Sequence, residues 1–241
     1  MIWTTYKHYV GLVTVESQSK KEVDSVYKPD NENIKKINFY ANNKWNIPVI
    51  QGIKEFDKNI EFIGFNYAKT FEKVGKTNYG IHFFLDDYQF NRLWNNPNKY
   101  LELLSKFKYI LSPDFSMYCD YPKAMQMWKH YQKHWIGAYL ELLGITVIPT
   151  IGWSDEESFK WCFDGEPKNS VVAVSSIGTQ RYEESKQLFL DGYKEMIKRL
   201  KPTKILFWGN IPPEIDKTNI IQMGYIMDEK FKLMRKNTDK V

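Results

Sequence analysis

From Asn46 onward, short apolar runs alternate with longer segments of helical period, and this alternation limits the possible folds more than any other feature. The runs are rich in β-branched and aromatic residues and lack a polar alternation, which is typical of strands buried on both faces. Seven runs fit this description: Ile47–Ile50, Glu61–Phe65, Ile81–Leu85, Tyr109–Ser112, Thr146–Ile151, Val171–Ser175 and Ile205–Trp208. The segments between them predict helices over about 90–106, 122–143, 155–163 and 181–200.

Strands that alternate with helices predict an α/β fold, in which mainly parallel strands are joined by right-handed crossover helices. The number of runs is one short of the eight strands of a closed barrel. The pattern therefore fits either a partial TIM-like barrel or an open doubly wound sheet. In both architectures, ligands bind at the carboxyl ends of the strands. This rule selects candidate site residues without any motif.

Three parts are expected along the 241 residues. Residues 1–45 are expected to form an N-terminal extension, with a possible strand over Tyr9–Val15. Residues 46–215 are expected to form the α/β core domain, which is long enough to fold without disulfides or structural metals. Residues 216–241 are expected to form a C-terminal basic segment, which contains Lys230, Lys232, Arg235, Lys236 and Lys240.

The composition indicates which cellular compartment and which class of binding partner to expect. The chain has two cysteines and no Cys/His pattern with zinc-finger spacing, which favours free thiols in a reducing compartment. Its first residues lack the order of a signal peptide, and no apolar run approaches the ~20 residues that span a bilayer. We therefore expect a cytoplasmic protein without a membrane partner. The net charge of +5 permits acidic partners but lacks the density of a dedicated nucleic-acid binder.

Aspartates follow three of the predicted strands. Asp86 and Asp87 come after the run that ends at Leu85, Asp114 lies in the loop after Ser112, and Asp155 follows Trp153. If these side chains converge, Asp86, Asp87 and Asp114 are candidate acid/base groups, and Asp87 and Asp114 are candidate Mg²⁺ ligands. The alternative is that each aspartate caps the following helix. We favour capping for Asp87 and Asp155, and a functional role for Asp114, which lies several residues before the next helix.

The segment Ser175-Ser176-Ile177-Gly178-Thr179 precedes Arg181 and a predicted helix. Hydroxyls, backbone N–H groups at a helix start and an arginine together favour a phosphate group. The segment matches neither a Walker loop nor a dinucleotide-binding fingerprint. Candidate substrate-binding residues are Trp153, Asp155, Ser175, Ser176, Gly178, Arg181 and Trp208. The two tryptophans lie at strand ends, where each ring could stack on a base or cap the core.

Histidines and cysteines offer weaker signals. His130 and His134 share one face of a predicted helix at i, i+4 spacing, where they could bind a metal. The residue after His130 is Tyr131, and not the glutamate of the zincin pattern, and both histidines flank the apolar stripe of the helix, so metal binding is not favoured. His82 is interpreted as a hydrogen-bonded core histidine. Cys119 is interpreted as a packing residue, because the charge of neighbouring Asp120 opposes the thiolate form.

Several strings of the sequence resemble one family. They are Gly80–Tyr88, Leu111–Tyr118, Val147–Thr150, Phe163–Gly165 and Val174–Gly178, in this order, and the resemblance covers roughly residues 46–210. They are similar to domain-of-unknown-function family 4417, whose members are typical of phages, prophages and plasmids of Gram-positive bacteria. The family has no assigned reaction, so the resemblance implies no catalytic roles. It implies a mobile-element context, and with it chemistry on nucleic acids or nucleotides, or interference with host defence.

Two functions remain open from the sequence. In the first, the protein acts on a phosphate-bearing substrate, either nucleic acid or nucleotide, and Mg²⁺-dependent hydrolysis is one form of this. In the second, it is a non-catalytic binding protein that sequesters a nucleotide signal or inhibits a host defence protein. Both depend on one geometric expectation: that Asp114, Trp153 and Ser175 lie at a common rim.

Overall fold

The computed structural model describes residues 34–224. The predicted strand over Tyr9–Val15 and the basic cluster from Lys230 to Lys240 lie outside the described residues. The division of the chain at residues 45 and 215 stays a prediction.

The described residues form seven strands, five α-helices and two short 3-10 helices. The strands are β1 (Phe62–Gly64), β2 (Gly80–His82), β3 (Tyr109–Leu111), β4 (Val147–Ile148), β5 (Val171–Ser175), β6 (Lys204–Trp208) and β7 (Ile220–Met223). The α-helices are α1 (Ala68–Lys73), α2 (Asp87–Asn95), α3 (Asn98–Leu104), α4 (Lys123–Leu142) and α5 (Glu183–Leu200). The 3-10 helices cover Phe65–Tyr67 and Glu156–Lys160.

All paired strands are parallel, and they follow one another in chain order. Four strands form one group, β1-β2-β3-β4, and three form a second, β5-β6-β7. A parallel bridge between Thr150 and Ala173 links the two groups. The α/β class with parallel strands and helical crossovers is therefore confirmed. Within residues 34–224, no pairing joins β7 to β1, so this is an open arrangement and not a closed barrel.

Several elements differ between the prediction and the structure. Ile47–Ile50 is not a strand, because its backbone bonds to single loop carbonyls, with Ile50 N donating to Gly165 O. The helix predicted over 90–106 is two helices, because Pro97 forces Asn96 out of helical geometry. The strand β7 was not predicted.

The core has two parts. The larger part lies among β1–β4 and the helices packed on them, and includes Trp208 from β6. The smaller part lies between α5 and one face of β5 and β6, because Val172, Val174 and Phe207 point to α5. The many aromatic residues therefore mostly pack in the interior. His82 differs from its interpretation: its buried Nδ1 has no hydrogen-bond partner within residues 34–224.

Helix α4 is the longest helix, and its inward face is almost continuously buried from His130 to Leu140. It begins directly after Pro122, and Gly144 follows its end with φ of +79°. This left-handed conformation is the one that glycine adopts at helix ends. None of the helices in the described part of the chain combines the length and the apolar character needed to span a membrane.

Candidate functional site

A pocket opens at the carboxyl ends of β3, β4 and β5. Its volume is about 360 Å³, which is within the range of small-molecule sites. Its walls come from the loop after β3, the segment after β4, the loop after β5 and the first turns of α5: Asp114–Cys119, Ile151–Ser154, Ser175, Ile177–Thr179, Ser185, Leu188 and Phe189. The geometric expectation is met, because Asp114, Trp153 and Ser175 line one pocket.

Asp114 is the carboxylate that the pocket exposes. Its side chain is partly accessible, and it makes no hydrogen bond or ion pair with any residue in the range 34–224. Burial raises the pKa of Asp114 to about 7; the charge of Asp87 adds to this rise, and that of Lys133 opposes it. A carboxyl group that titrates near neutrality can both accept and donate a proton at physiological pH. Such shifted groups in clefts are typical of functional sites.

Asp87 lies behind the pocket wall. One of its oxygens, Oδ1, accepts hydrogen bonds from the backbone N–H and the hydroxyl of Ser116, at 3.1 and 2.9 Å. The other, Oδ2, pairs with Lys129 at 2.9 Å. Asp87 therefore holds the loop that carries Asp114, and it does not cap its own helix through its side chain. Its metal role stays a prediction. Asp86 is exposed and does not line the pocket.

Asp155 caps the second 3-10 helix. Its Oδ1 accepts from Ser158 N at 3.2 Å, and its Oδ2 pairs with Lys123. Burial tends to raise the pKa of Asp155, but the hydrogen bonds from Lys123 and Ser158 hold it below its usual value. The Ser154–Glu157 spacing suggests a capping box, and this is wrong: Ser154 Oγ donates to Gln126 Oε1 at 2.6 Å instead.

The loop after β5 supplies the polar side of the pocket. Ser175 Oγ accepts from Ile177 N at 3.2 Å, and Gly178 adopts φ of +81°, with open space where a side chain would project. The Gly178 N–H donates to no group within residues 34–224. Ser176 points away, because its buried hydroxyl donates to Asn210 O at 2.7 Å. Arg181 is exposed and lies over the Tyr182 ring, outside the pocket lining.

The two tryptophans have different environments. Trp153 lines the pocket and packs on α5, against Phe189 and the face of Gly192. Trp208 is 1% exposed and contacts the rings of Phe62 and Phe84 at centroid distances of 5.4 and 4.8 Å. The structure therefore places Trp208 in the core, away from the pocket.

A family model described as "Domain of unknown function (DUF4417)" matches residues 39–226 of the chain. The protein belongs to this family. The resemblance noted in the sequence is thereby confirmed, and the match extends beyond both ends of the strings that suggested it.

Two phage proteins are similar to this DUF4417 member. The "Gene 1 protein" of Mycobacterium phage L5 is 38% identical over 61% of this chain and 64% of its own length. The "Gene 1 protein" of Mycobacterium phage D29 is 32% identical over 73% of this chain and 64% of its own length. The chain thus spans less than two thirds of the curated relatives that it matches. These similarities support the predicted phage association. No solved structure matches the chain.

Several pocket residues of this DUF4417 member were not predicted as site residues. They include Met117, Tyr118, Cys119, Ser185, Leu188 and Phe189. Those before residue 120 extend the loop after Asp114, so a wider window beyond the strand end would include them. Those on α5 do not follow a strand, so a rule that selects residues at strand ends could not find them. Cys119 is exposed, which corrects its interpretation as a packing residue. Partial burial and the charge of Asp155 raise the pKa of Cys119, which disfavours a thiolate nucleophile.

Proposed function

We propose that the pocket binds a small phosphate-bearing molecule, such as a nucleotide or a nucleic-acid end, and that Asp114 transfers protons in its hydrolysis. The observation that carries this proposal is the Asp114 carboxyl group, which is unpaired within residues 34–224, faces the pocket, and has a pKa of about 7. A group that is left unpaired and titrates near neutrality suits general acid–base catalysis.

The phosphate would lie against the loop after β5. This loop offers the N–H of Gly178, which has no acceptor within residues 34–224, and the hydroxyl of Ser175. The open space beside Gly178 lets a ligand approach the backbone closely. Ser185, in the first turn of α5, adds a hydroxyl at the same wall. Exposed backbone N–H groups with hydroxyls are the donors that phosphate oxygens accept from.

Trp153 and Asp114 would contact the rest of the ligand. Trp153 contributes an aromatic surface held in place by α5, which suits a base or a sugar. Asp114 lies on the loop after β3, so it approaches the ligand from a different wall than the donors of the β5 loop. This arrangement suits a base that activates water for attack on the phosphate. In an alternative form of the proposal, Asp114 would hold a Mg²⁺ ion against the phosphate, since Mg²⁺ prefers carboxylate and phosphate oxygens. The ion, and not the carboxylate, would then activate the water.

The proposal is tested by incubating the purified chain with a mixture of nucleotides and a short DNA oligonucleotide. Product formation is followed by chromatography and ³¹P NMR, with Mg²⁺ and with EDTA. We expect turnover that falls at least 100-fold in Asp114→Asn, because proton transfer by one group contributes about 10²–10⁴-fold. The control is Asp86→Asn, which changes an exposed aspartate outside the pocket.

Two results would contradict the hydrolytic proposal. One is equal turnover in Asp114→Asn and wild type. The other is intact nucleotide that copurifies with wild type and is released unchanged by denaturation. The second result would instead support the alternative function, in which the same pocket sequesters a nucleotide.

A further inference from the structure

A second polar cluster lies deeper in the protein, and the proposed function does not use it. It consists of His130 and His134 on the inner face of α4, and of Glu166 from the loop before β5. All three residues are buried, and one potential ligand atom from each lies within 4.8 Å of the others. The segment Phe163–Gly165, which helped to carry the family resemblance, leads directly into this cluster.

Backbone carbonyls fix which ring nitrogen of each histidine is free. His130 Nε2 lies 3.0 Å from Asp164 O, and His134 Nδ1 lies 2.8 Å from Pro48 O. A carbonyl oxygen can only accept, so these two nitrogens carry the hydrogens. The opposite nitrogens, His130 Nδ1 and His134 Nε2, are therefore the ones that can bind a metal ion.

Several polar atoms of the cluster lack a complete set of partners. His134 Nε2 lies 2.9 Å from Glu166 Oε1, a contact that requires a proton or a cation between the two atoms. His130 Nδ1 and Glu166 Oε2 are buried and have no hydrogen-bond partner within residues 34–224. Buried acceptors without donors are costly and rare in folded proteins. A cation bound among them would satisfy all three side chains at once.

We propose that His130, His134 and Glu166 bind one divalent transition-metal ion, for which Zn²⁺ is the reference. Two imidazoles and one carboxylate are an established zinc ligand set. Tetrahedral Zn²⁺ with bonds of about 2.0 Å holds its ligand atoms roughly 3.3 Å apart. Separations of up to 4.8 Å in the cluster must therefore shorten by as much as about 1.5 Å on binding, which requires the side chains to move. Metal-bound histidines typically donate their second N–H to a carbonyl, as both rings do in this structure.

The site connects three separate segments of the chain. His130 and His134 belong to α4, Glu166 follows the loop at Gly165, and the second N–H of His134 holds the segment at Pro48. Gly165 adopts φ of +78°, and a side chain there would overlap Pro48 O and His134. The role of the ion is therefore structural: it anchors α4 to the loop beneath the sheet. It is separate from the Mg²⁺ predicted at Asp114, whose ligands are oxygens.

Lys133 is expected to weaken the binding of Zn²⁺ at this site. Its Nζ donates to Glu166 Oε1 at 2.6 Å and to Thr150 O at 2.8 Å. This contact orients the carboxylate, as partners of metal-binding carboxylates usually do. However, its positive charge also opposes a second cation close by. We therefore expect weaker binding than in a zinc site without a neighbouring lysine, and Lys133→Met is expected to increase the affinity for Zn²⁺.

The test uses the full chain without an affinity tag that binds metals. The protein is loaded with Zn²⁺ and passed through a gel-filtration column in metal-free buffer. Inductively coupled plasma mass spectrometry is then expected to find one Zn²⁺ per chain. Co²⁺ in its place is expected to give the intense visible absorption of a tetrahedral site. His130→Gln removes one proposed ligand and is expected to lower the affinity at least 100-fold. His82→Gln, which changes a partly buried histidine outside the cluster, is the control and is expected to keep full occupancy.

Two outcomes would overturn the proposal. The first is a folded wild-type chain that binds neither Zn²⁺ nor Co²⁺, a result that requires no variant to fold. The second is equal metal content in wild type and His130→Gln. Neither outcome affects the hydrolysis test, because metal content is measured without any substrate.

Discussion

Asp87 and Ser116 are 29 residues apart in the chain, and the carboxylate of Asp87 accepts both the backbone N–H and the hydroxyl of Ser116. This double contact fixes the loop that follows β3 against the start of α2. Asp114 lies two residues before Ser116, so its position at the pocket depends on the contact. Asp87 thus acts on the pocket through the loop, and its charge also raises the pKa of Asp114.

Asp87→Asn is expected to destabilise the protein and to lower the pKa of Asp114. The amide keeps one acceptor for Ser116 but loses the ion pair with Lys129, in which both side chains are about one fifth exposed. Loss of a hydrogen bond to a charged group costs about 1.5–3 kcal/mol in the free energy of unfolding. Urea denaturation measures this cost, and Asp86→Asn, at an exposed neighbour, is expected to change stability by less than about 0.5 kcal/mol. Equal stability of the two variants would contradict the role of Asp87.

Asp114→Asn is expected to stabilise the protein at pH 8 and to have little effect at pH 4. The folded-state pKa of Asp114 is about 7, whereas an unfolded aspartate titrates near 3.9. Between these values the unfolded chain has lost the proton and the folded chain keeps it, so stability falls as pH rises and levels off above pH 7. Because water reaches Asp114 through the pocket, we expect a gain of roughly 2 kcal/mol, below the full value of the shift. Chemical denaturation from pH 4 to 8 checks this, and parallel profiles for variant and wild type would contradict it.

Ser175→Ala and Ser176→Ala are expected to change different properties, although the residues are adjacent: the first weakens ligand binding and the second lowers the stability of the fold. Ser175 lines the pocket, so its loss is expected to weaken nucleotide or phosphate binding about 5-fold or more, in line with one hydrogen bond of about 1 kcal/mol. Ser176 is buried and bonded to Asn210 O, so its loss is expected to destabilise the fold by about 1–2 kcal/mol with unchanged affinity. Calorimetry of binding and thermal unfolding distinguish the two. Unchanged binding in Ser175→Ala together with weaker binding in Ser176→Ala would show that the phosphate lies elsewhere.

Gly192→Ala is expected to disturb the pocket, although Gly192 does not line it, because the substitution displaces Trp153. Alanine normally stabilises a helix interior by about 1 kcal/mol relative to glycine. In α5, however, the added methyl group would overlap the Trp153 ring, which must then move. We expect a net destabilisation of about 1–3 kcal/mol and weaker ligand binding. Lys194→Ala, on the exposed side of the same helix, serves as the control. A more stable Gly192→Ala variant with normal binding would show that Trp153 needs no fixed position.

The sequence supported the parallel α/β class because period and residue type report directly on burial. β7 was missed because Ile220–Met223 is short and only partly buried, so its apolar signal is weak. Ile47–Ile50 was assigned wrongly for the opposite reason. It is almost fully buried, but its backbone partners are loop carbonyls that no local pattern reveals.

Part of the candidate site could be predicted from the positions of the strand ends. The strand-end rule placed Asp114, Trp153, Ser175 and Gly178 together, since parallel strands end at a common edge. It could not show that Ser176 and Trp208 point away from that edge, because alternation about a strand end depends on the local turn. Glu166 was also missed as a partner of His130 and His134. It lies more than thirty residues from both histidines, and contacts of that kind depend on the tertiary fold.

The most direct test of the central claim is a ¹³C NMR titration of the Asp114 carboxyl group, without ligand and with a bound nucleotide monophosphate. Asp114→Asn identifies the resonance. We expect a pKa of about 7 for Asp114 in the free protein, and a higher value in the complex because phosphate brings negative charge near the carboxylate. A pKa near the ordinary value of 3.9 that does not respond to the nucleotide would contradict both the desolvated carboxylate and its contact with the ligand.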